Sequence, residues 1–137
     1  MYFFTTTKYK TTMANYYSFE KLDTWVDARS LVKWIYQHTA NFPAEEKFGL
    51  VSQLRRAGIS VVSNLAEGSA RVSAKDQANF SQIAYSSLIE ILNQLIISTD
   101  LNFISQEILN EGRIKIDAIA NKISALRKSQ INRISKV

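Results

Sequence analysis

Cysteine is absent from this sequence, proline occurs once, and glycine occurs only four times in 137 residues. Without cysteine the chain can form neither a disulfide nor a thiolate zinc site, and a cysteine nucleophile is excluded. Such a chain suits a reducing compartment, so we expect a cytoplasmic protein. The scarcity of proline and glycine favours long helices over a fold with many turns.

Long apolar runs are also absent. No stretch approaches the length of about 20 apolar residues that a membrane-spanning helix needs, so we expect no association with a membrane. Residues 1–17 do not resemble a signal peptide, because their apolar patch is limited to Tyr2, Phe3 and Phe4 and polar threonines follow it. We predict that residues 1–17 form a flexible leader, with Met13 as an alternative start of the natural chain.

Groups suited to catalysis or metal binding are sparse. His38 is the only histidine and has no second histidine or cysteine nearby, so we predict a surface residue at the end of a helix. Glu67 and Glu90 are the one candidate pair of carboxylates, but the Glu-x-x-His motifs of di-metal bundles are missing. No Ser/His/Asp set or glycine-rich phosphate loop occurs either, which predicts a non-enzymatic protein without a metal or cofactor.

Apolar residues recur three and four positions apart in four segments that short connections separate. This spacing is typical of amphipathic helices, and four of them predict an all-α fold, an antiparallel up-down-up-down four-helix bundle. We assign the bundle domain to residues 18–128 and a basic C-terminal tail to residues 129–137. The predicted helices span residues 19 or 23 to 39, 44 to 68, 74 to 98, and 106 to 128.

Small residues mark the expected helix ends and close contacts. Ser73 and Ser105 are predicted N-caps, because each stands just before a helical pattern with an acidic residue in its first turn. Gly68 is predicted to be a left-handed cap at the end of the second helix. The pair Ala57-Gly58, in the middle of that helix, is expected to admit a neighbouring helix at short distance.

Two apolar features exceed what one four-helix core requires. The core stripe of the first helix is predicted to contain Trp25, Ala28, Val32, Ile35 and Thr39. Trp34 lies off this stripe, so it either folds over a neighbouring helix or marks a partner surface. We favour the partner surface. The third helix has a second apolar stripe beside its core face. These features predict a homo-oligomer, with candidate interface residues Trp34, Tyr85, Ile89, Leu92 and Ile96.

A polar face runs along the second helix, away from its apolar stripe. Its members are Arg56, Ser60, Ser63, Asn64 and Glu67. Such a face can form ladders of hydrogen bonds and a salt bridge to the next helix. Two interpretations stay open: a polar seam that fixes helix register, which we favour, and an anion site at Arg55 and Arg56.

The net charge of +5 is concentrated in the last quarter of the chain. Residues 1–111 carry ten basic and eleven acidic side chains, whereas residues 112–137 carry seven basic side chains against Asp117 alone. This segment would attract RNA or DNA, or it is simply a solvated helix face followed by a tail. The candidate nucleic-acid-binding residues are Arg113, Lys115, Lys122, Arg127, Lys128, Arg133 and Lys136.

Several motifs between about Phe19 and Leu101 resemble one protein family. They are Phe19-Glu20-Lys21-Leu22 with Trp25, Phe42-Pro43 with Glu46 to Leu50, Gln53 to Ala57, Ser63 to Gly68 with Arg71, and Ser87 to Glu90 with Gln94-Leu95. The family comprises bacterial four-helix-bundle proteins encoded within intervening sequences of large-subunit ribosomal RNA genes. Its relatives include accessory proteins of diversity-generating retroelements.

The resemblance implies a non-enzymatic antiparallel bundle that assembles as a ring, typically a homopentamer. In the retroelement relatives the ring is basic and binds nucleic acid and a reverse transcriptase. The family-motif residues are expected to determine packing and register and not to form a reaction centre. They are Arg55, Arg56, Ser63, Asn64, Glu67, Gly68, Arg71, Glu90 and Gln94.

Three functions follow as hypotheses. The first is an oligomeric scaffold that binds RNA or DNA through the fourth helix and tail, with little sequence preference. The second is a protein-protein interaction module or adaptor without nucleic-acid binding. The third, an enzyme or cofactor carrier built around Glu67 and Glu90, is the least favoured because the constellations named above are missing.

Overall fold

The computed structural model of the protein describes residues 16–134, which form four α-helices, two 3-10 turns and no β-strand. The helices are α1 (Asp23–Thr39), α2 (Leu50–Ser69), α3 (Ala74–Asp100) and α4 (Gln106–Ile134). The 3-10 turns Ser18–Lys21 and Ala44–Glu46 precede α1 and α2. The predicted all-α fold is confirmed, while the leader up to residue 15, including the alternative start at Met13, lies outside the described residues.

Side-chain contacts between neighbouring helices run in opposite directions along the two helices. Between α2 and α3, Ser60 pairs with Ser87 at 2.8 Å and Gln53 pairs with Gln94 at 3.2 Å. From the first pair to the second, the residue number decreases along α2 and increases along α3. This is the register of antiparallel neighbours. The same opposed register appears in Thr39–Arg55, Ser81–Gln130, Leu95–Gly112, Asp27–Lys122 and Trp34–Glu111.

The core is built from apolar side chains of all four helices. Its largest fully buried apolar members are Leu31, Ile35, Leu54, Val61, Leu88, Ile91, Ile116, Ile119 and Ile123. Burying one such side chain contributes about 1.5–3 kcal/mol. Packing of the four apolar stripes therefore outweighs the intrinsic helix propensity of each segment as the source of stability.

The buried face of α1 is rotated relative to the predicted stripe. Leu31 is fully buried although it was not part of that stripe, whereas Trp25 and Val32 are only half-buried. Trp25 packs edge-on against Phe19 of the preceding turn, with ring centroids 5.0 Å apart. The turn thus covers a tryptophan that the periodicity alone assigned to the core.

Trp34 is buried within the chain, so its prediction as a subunit-interface residue is wrong. Its side chain is 5% exposed. The indole ring lies so close to Gly112 of α4 that a Cβ atom there would come within 2.9 Å of it. The indole Nε1 donates a hydrogen bond of 2.7 Å to the Glu111 carboxylate. The long side chain reaches the core from the flank of α1. Trp34 therefore follows the other predicted alternative, in which it packs over a neighbouring helix.

Two glycines of α2 serve packing. A Cβ atom at Gly58 would meet Ile35 of α1 at 3.2 Å, which confirms the predicted close approach of a helix there. Gly68 lies inside α2 and no described glycine has a positive φ, so the predicted left-handed cap is wrong. Instead, a Cβ atom at Gly68 would come within 2.9 Å of Phe80 on α3. Gly68 therefore allows α2 and α3 to approach where the chain turns between them.

Side-chain caps set three helix starts. The Ser73 hydroxyl accepts a hydrogen bond from the amide of Asp76, and Ser105 accepts one from Ile108, which confirms both predicted caps. The second α-helix begins at Leu50, six residues later than predicted, because a 3-10 turn follows Pro43. The Glu46 carboxylate then accepts a hydrogen bond from the Leu50 amide at 3.1 Å and satisfies the first turn of α2.

Helix α4 continues past residue 129, where the basic tail was predicted to begin. Gln130 is buried and accepts a hydrogen bond of 2.7 Å from the Ser81 hydroxyl, while Arg133 donates to the side-chain oxygen of Gln77. Because these contacts tie the last turns to α3, residues 129–134 belong to the bundle. Residues 135–137, which include Lys136, lie outside the described residues.

The contact between Trp34 and Gly112 predicts a specific coupling. Gly112→Ala should lower the free energy of unfolding by about 1 kcal/mol or more, because the clash with the ring exceeds the gain in helix propensity. In a Trp34→Phe background the same change should cost less, because the only close neighbour left would be the Leu95 methyl group, which lies 3.1 Å from the position of the added Cβ atom. A double-mutant cycle from urea unfolding should give a coupling of about 1–2 kcal/mol.

Ala125→Gly, at an exposed position of the same helix, provides the control and should cost about 1 kcal/mol through helix propensity alone. A Gly112→Ala protein that is more stable than the unmodified chain would show that the indole does not limit the space at position 112.

Candidate interaction surfaces

The basic residues of α4 do not form one continuous surface. Six of the seven candidates lie in the described region, namely Arg113, Lys115, Lys122, Arg127, Lys128 and Arg133. They are distributed over the α1 side and the α3 side of the helix. Arg133 is already engaged by Gln77. The predicted basic segment therefore resolves into two smaller groups on α4.

The group on the α1 side is partly neutralised. Lys122 forms an ion pair with Asp27 at 2.5 Å, the one ion pair among residues 16–134. The hydrogen bond to the Asp27 carboxylate raises the pKa of Lys122 above its ordinary value. Lys115, two helical turns earlier, shares a shallow cleft with the same aspartate. An exposed ion pair of this kind contributes little to stability, but it offsets positive charge at this surface.

The group on the α3 side lines an open cleft. Its volume is about 340 Å³, and its lining includes Gln82, Tyr85, Ser124, Arg127, Lys128 and Ile131. The described residues that line it include no carboxylate. The buried Nε of Arg127 has no hydrogen-bond partner within the described part of the protein. Arg113 lies 14 residues before Arg127, roughly 21 Å along the helix axis, so it extends this side of α4 toward the other end of the bundle.

The second apolar stripe of α3 divides into packed and exposed members. Tyr85, Leu92 and Ile96 are half-buried and pack against the core, whereas Ile89 is 43% exposed. Their role as interface residues stays a prediction, with Ile89 as the most accessible of them. On α4, Ile114 is 72% exposed and was not singled out by periodicity. Exposed isoleucines on two helices leave apolar surface that the core does not use.

The polar face of α2 forms a short seam toward α3. The Asn64 side-chain amide donates to the backbone oxygen and the hydroxyl of Ser60, and Ser60 bonds to Ser87 across the helix interface. Ser63 and Glu67 are exposed, and no described salt bridge links Glu67 to α3. The predicted seam is thus confirmed at Ser60 and Asn64, while the predicted salt bridge is wrong.

Arg55 closes the C-terminal end of α1. Its Nε donates a hydrogen bond of 3.0 Å to the hydroxyl of buried Thr39, and one terminal nitrogen donates to the backbone oxygen of Tyr36 at 3.4 Å. The guanidinium also lies 4.4 Å from the centre of the Tyr36 ring. A cation at this end complements the partial negative charge of the helix carbonyls. Arg56, the next residue, is exposed, so the adjacent arginines have different roles.

A groove between α1 and the start of α2 was not predicted from the sequence. We call it the Phe48 groove; its volume is about 450 Å³, and it is lined by Tyr36, Lys47, Phe48, Arg55, Arg56 and Ile59. Phe48 is 88% exposed and lies between the 3-10 turn and α2. A signal was present, because Phe48 follows a lysine and lies off the apolar stripe of the second helix, which was predicted to begin at residue 44. The structure places Phe48 in the connection before Leu50.

The remaining motif residues support packing or face solvent. The Gln94 amide donates to Gln53 of α2, and the exposed Arg71 lies 4.6 Å from the centre of the Phe80 ring. Glu90 is exposed on α3. His38 is half-buried and lies beside Trp34, with ring centroids 4.5 Å apart. His38 is therefore less exposed than was predicted, because the indole of Trp34 covers one side of its ring.

Glu67 and Glu90 do not form a carboxylate pair. The contact of Gly68 with Phe80 places Glu67 about ten residues, roughly 15 Å along the helix axis, from Glu90. Within residues 16–134, no group of three or more histidine, cysteine, aspartate or glutamate residues is arranged to hold a metal ion. No helix in the same part of the chain is both long and apolar enough to cross a membrane.

The model of the family described as 23S rRNA-intervening sequence protein matches residues 20–125. The match spans α1, α2 and α3 completely and most of α4. The match ends before Arg127, so Arg127 and Lys128 on the α3 side of α4 lie outside the matched region. A comparison with curated proteins gives no match.

The different roles of the two adjacent arginines predict different costs of removal. Arg55→Ala should lower the free energy of unfolding by about 1–2 kcal/mol, because the Thr39 hydroxyl and the last carbonyls of α1 lose a charged donor. Arg56→Ala, the matched control, should change it by less than about 0.5 kcal/mol. Urea unfolding followed by circular dichroism measures both, and equal effects would contradict the assigned role of Arg55.

Proposed function

Since this chain belongs to the 23S rRNA-intervening sequence protein family, we propose that it is a non-enzymatic, cytoplasmic, homo-oligomeric scaffold that binds RNA or DNA. The observation that carries the proposal is the charge of α4. Its described residues include six cations against Glu107, Glu111 and Asp117, and only Lys122 is in an ion pair. Cations that lack an ionic partner within the fold can neutralise phosphates and release counterions.

The binding mode that these residues favour is contact with the phosphate backbone. Gln106–Ile134 contains no aromatic residue, so α4 has no side chain on which a base would stack. Arg113, Arg127 and Lys128 lie along the α3 side of the helix and act as point contacts for phosphates. Such contacts position a nucleic acid but carry no sequence information, so we expect little sequence preference.

Oligomerisation would multiply this modest charge. The exposed isoleucines Ile89 and Ile114 supply apolar surface for subunit contacts. We propose a ring, pentameric as the family resemblance implies, in which the same basic surface is presented once per subunit. Weak contacts at each copy then combine into tighter binding, because a second contact forms at high effective concentration.

The alternative is a protein-interaction module that does not bind nucleic acid. It is favoured by the engagement of two α4 cations inside the chain, Lys122 by Asp27 and Arg133 by Gln77. In that case the remaining cations keep the assembly soluble, and the apolar and mixed surfaces bind other proteins.

A matched pair of variants tests the role of α4. The triple change Arg113→Gln, Arg127→Gln and Lys128→Gln should weaken binding to a fluorescein-labelled structured RNA by about tenfold or more near 50 mM salt. It should also reduce the slope of log affinity against log salt by about 2–3, because up to three phosphate contacts are lost. Fluorescence anisotropy between about 50 and 200 mM salt measures both quantities.

The control removes the same charge elsewhere, through Lys21→Gln, Lys33→Gln and Lys75→Gln at exposed positions outside α4. This variant should keep most of the affinity and the slope. Equal losses in both variants would mean that net charge alone attracts RNA. An unmodified protein that binds no RNA at low salt would support the interaction module instead.

A further inference from the structure

The Phe48 groove combines three cations with exposed apolar side chains. Lys47, Arg55 and Arg56 line it, and no carboxylate is among its described lining residues. The nearby Glu46 carboxylate is directed to the first turn of α2, where it accepts the hydrogen bond from Leu50. The groove therefore presents uncompensated positive charge to whatever binds there.

The apolar part of the groove is exposed to an unusual degree for a folded protein. Phe48 is 88% exposed, and Tyr36 and Ile59 beside it are exposed as well. The aromatic ring contributes nothing to the core, so its burial is available to a partner. An aromatic side chain that a partner can bury completely is a typical anchor of a protein-binding site.

We propose that the Phe48 groove binds a short acidic segment of another protein. An aliphatic or aromatic side chain of that segment packs against Phe48 and Ile59, and flanking carboxylates pair with Lys47 and Arg56. Arg55, which is held by Thr39 and Tyr36, supplies a fixed guanidinium at the inner wall. The groove is formed by α1, α2 and the segment between them, so this site is separate from the cations of α4.

The same observations disfavour a nucleic acid as the occupant. The Arg55 guanidinium already lies over the Tyr36 ring at 4.4 Å, and the Lys47 ammonium lies 5.5 Å from the centre of the Phe48 ring. The Arg55 guanidinium therefore already covers one face of the Tyr36 ring, where a base would otherwise stack. Ile59 offers packing surface but no stacking partner, which suits a peptide side chain better than a base. Charge complementarity then selects an acidic segment over a basic one.

Selection from a random-peptide phage library tests the proposal. Panned against the full chain, the library should enrich peptides with several carboxylates around an aliphatic or aromatic residue. Synthetic copies of these peptides should bind Phe48→Ala and Arg56→Gln at least about tenfold more weakly than the unmodified protein. Val72→Ala, which truncates a fully exposed apolar residue outside the groove, is the matched control and should bind normally.

Unchanged circular dichroism and thermal unfolding should accompany both groove variants, because Phe48 and Arg56 are exposed. Failure to enrich acidic peptides, or equal binding by Phe48→Ala and Val72→Ala, would overturn the proposal. A loss of assembly mass in Phe48→Ala would assign the groove to a second copy of the chain. A loss of RNA affinity without peptide binding would assign it to nucleic acid.

The triple variant of α4 separates this inference from the proposed function. It should lose RNA affinity while it binds the selected peptides as the unmodified protein does. Loss of peptide binding in that variant would contradict a separate groove site.

Discussion

The close approach of α1 and α4 at Gly112 is the constraint on which the placement of the other surfaces depends. The Trp34 indole occupies the space that a side chain at position 112 would need, and its hydrogen bond to Glu111 aligns the two helices. In this orientation Ile116, Ile119 and Ile123 of α4 face the core, and the cations of the helix lie on either side of them. Gly58 has a related role between α1 and α2, where a Cβ atom would come within 3.2 Å of Ile35.

Much of the fold was predictable because its determinants are local. Ser73 and Ser105 cap helices through their own hydroxyls, and the buried residues Gly112, Ile116, Ile119 and Ile123 of α4 recur three and four positions apart. Trp34 was not predictable from spacing, since a long side chain on the flank of a helix can reach either the core or solvent. The end of α4 depends on Gln130 bonding to Ser81, a contact between distant parts of the chain.

The candidate surfaces were predictable only in part. Composition indicated that the last quarter of the chain is basic, but an ion pair with Asp27, 95 residues away, removes part of that charge. The adjacent Arg55 and Arg56 look equivalent in sequence, whereas one closes α1 and the other faces solvent. Phe48 was predicted to lie inside the second helix, but it lies in the connection before Leu50, where its ring is exposed. Each of these outcomes is a property of tertiary packing.

We propose that a modest charge on each subunit becomes a nucleic-acid-binding surface through assembly. The most direct measurement is the light-scattering mass of the full chain over a salt series, with and without a structured RNA. We predict a multimer close to five subunits whose mass increases with RNA at low salt and returns to the protein value at high salt. A monomer, or a multimer whose mass is unaffected by RNA at every salt concentration, would contradict the claim.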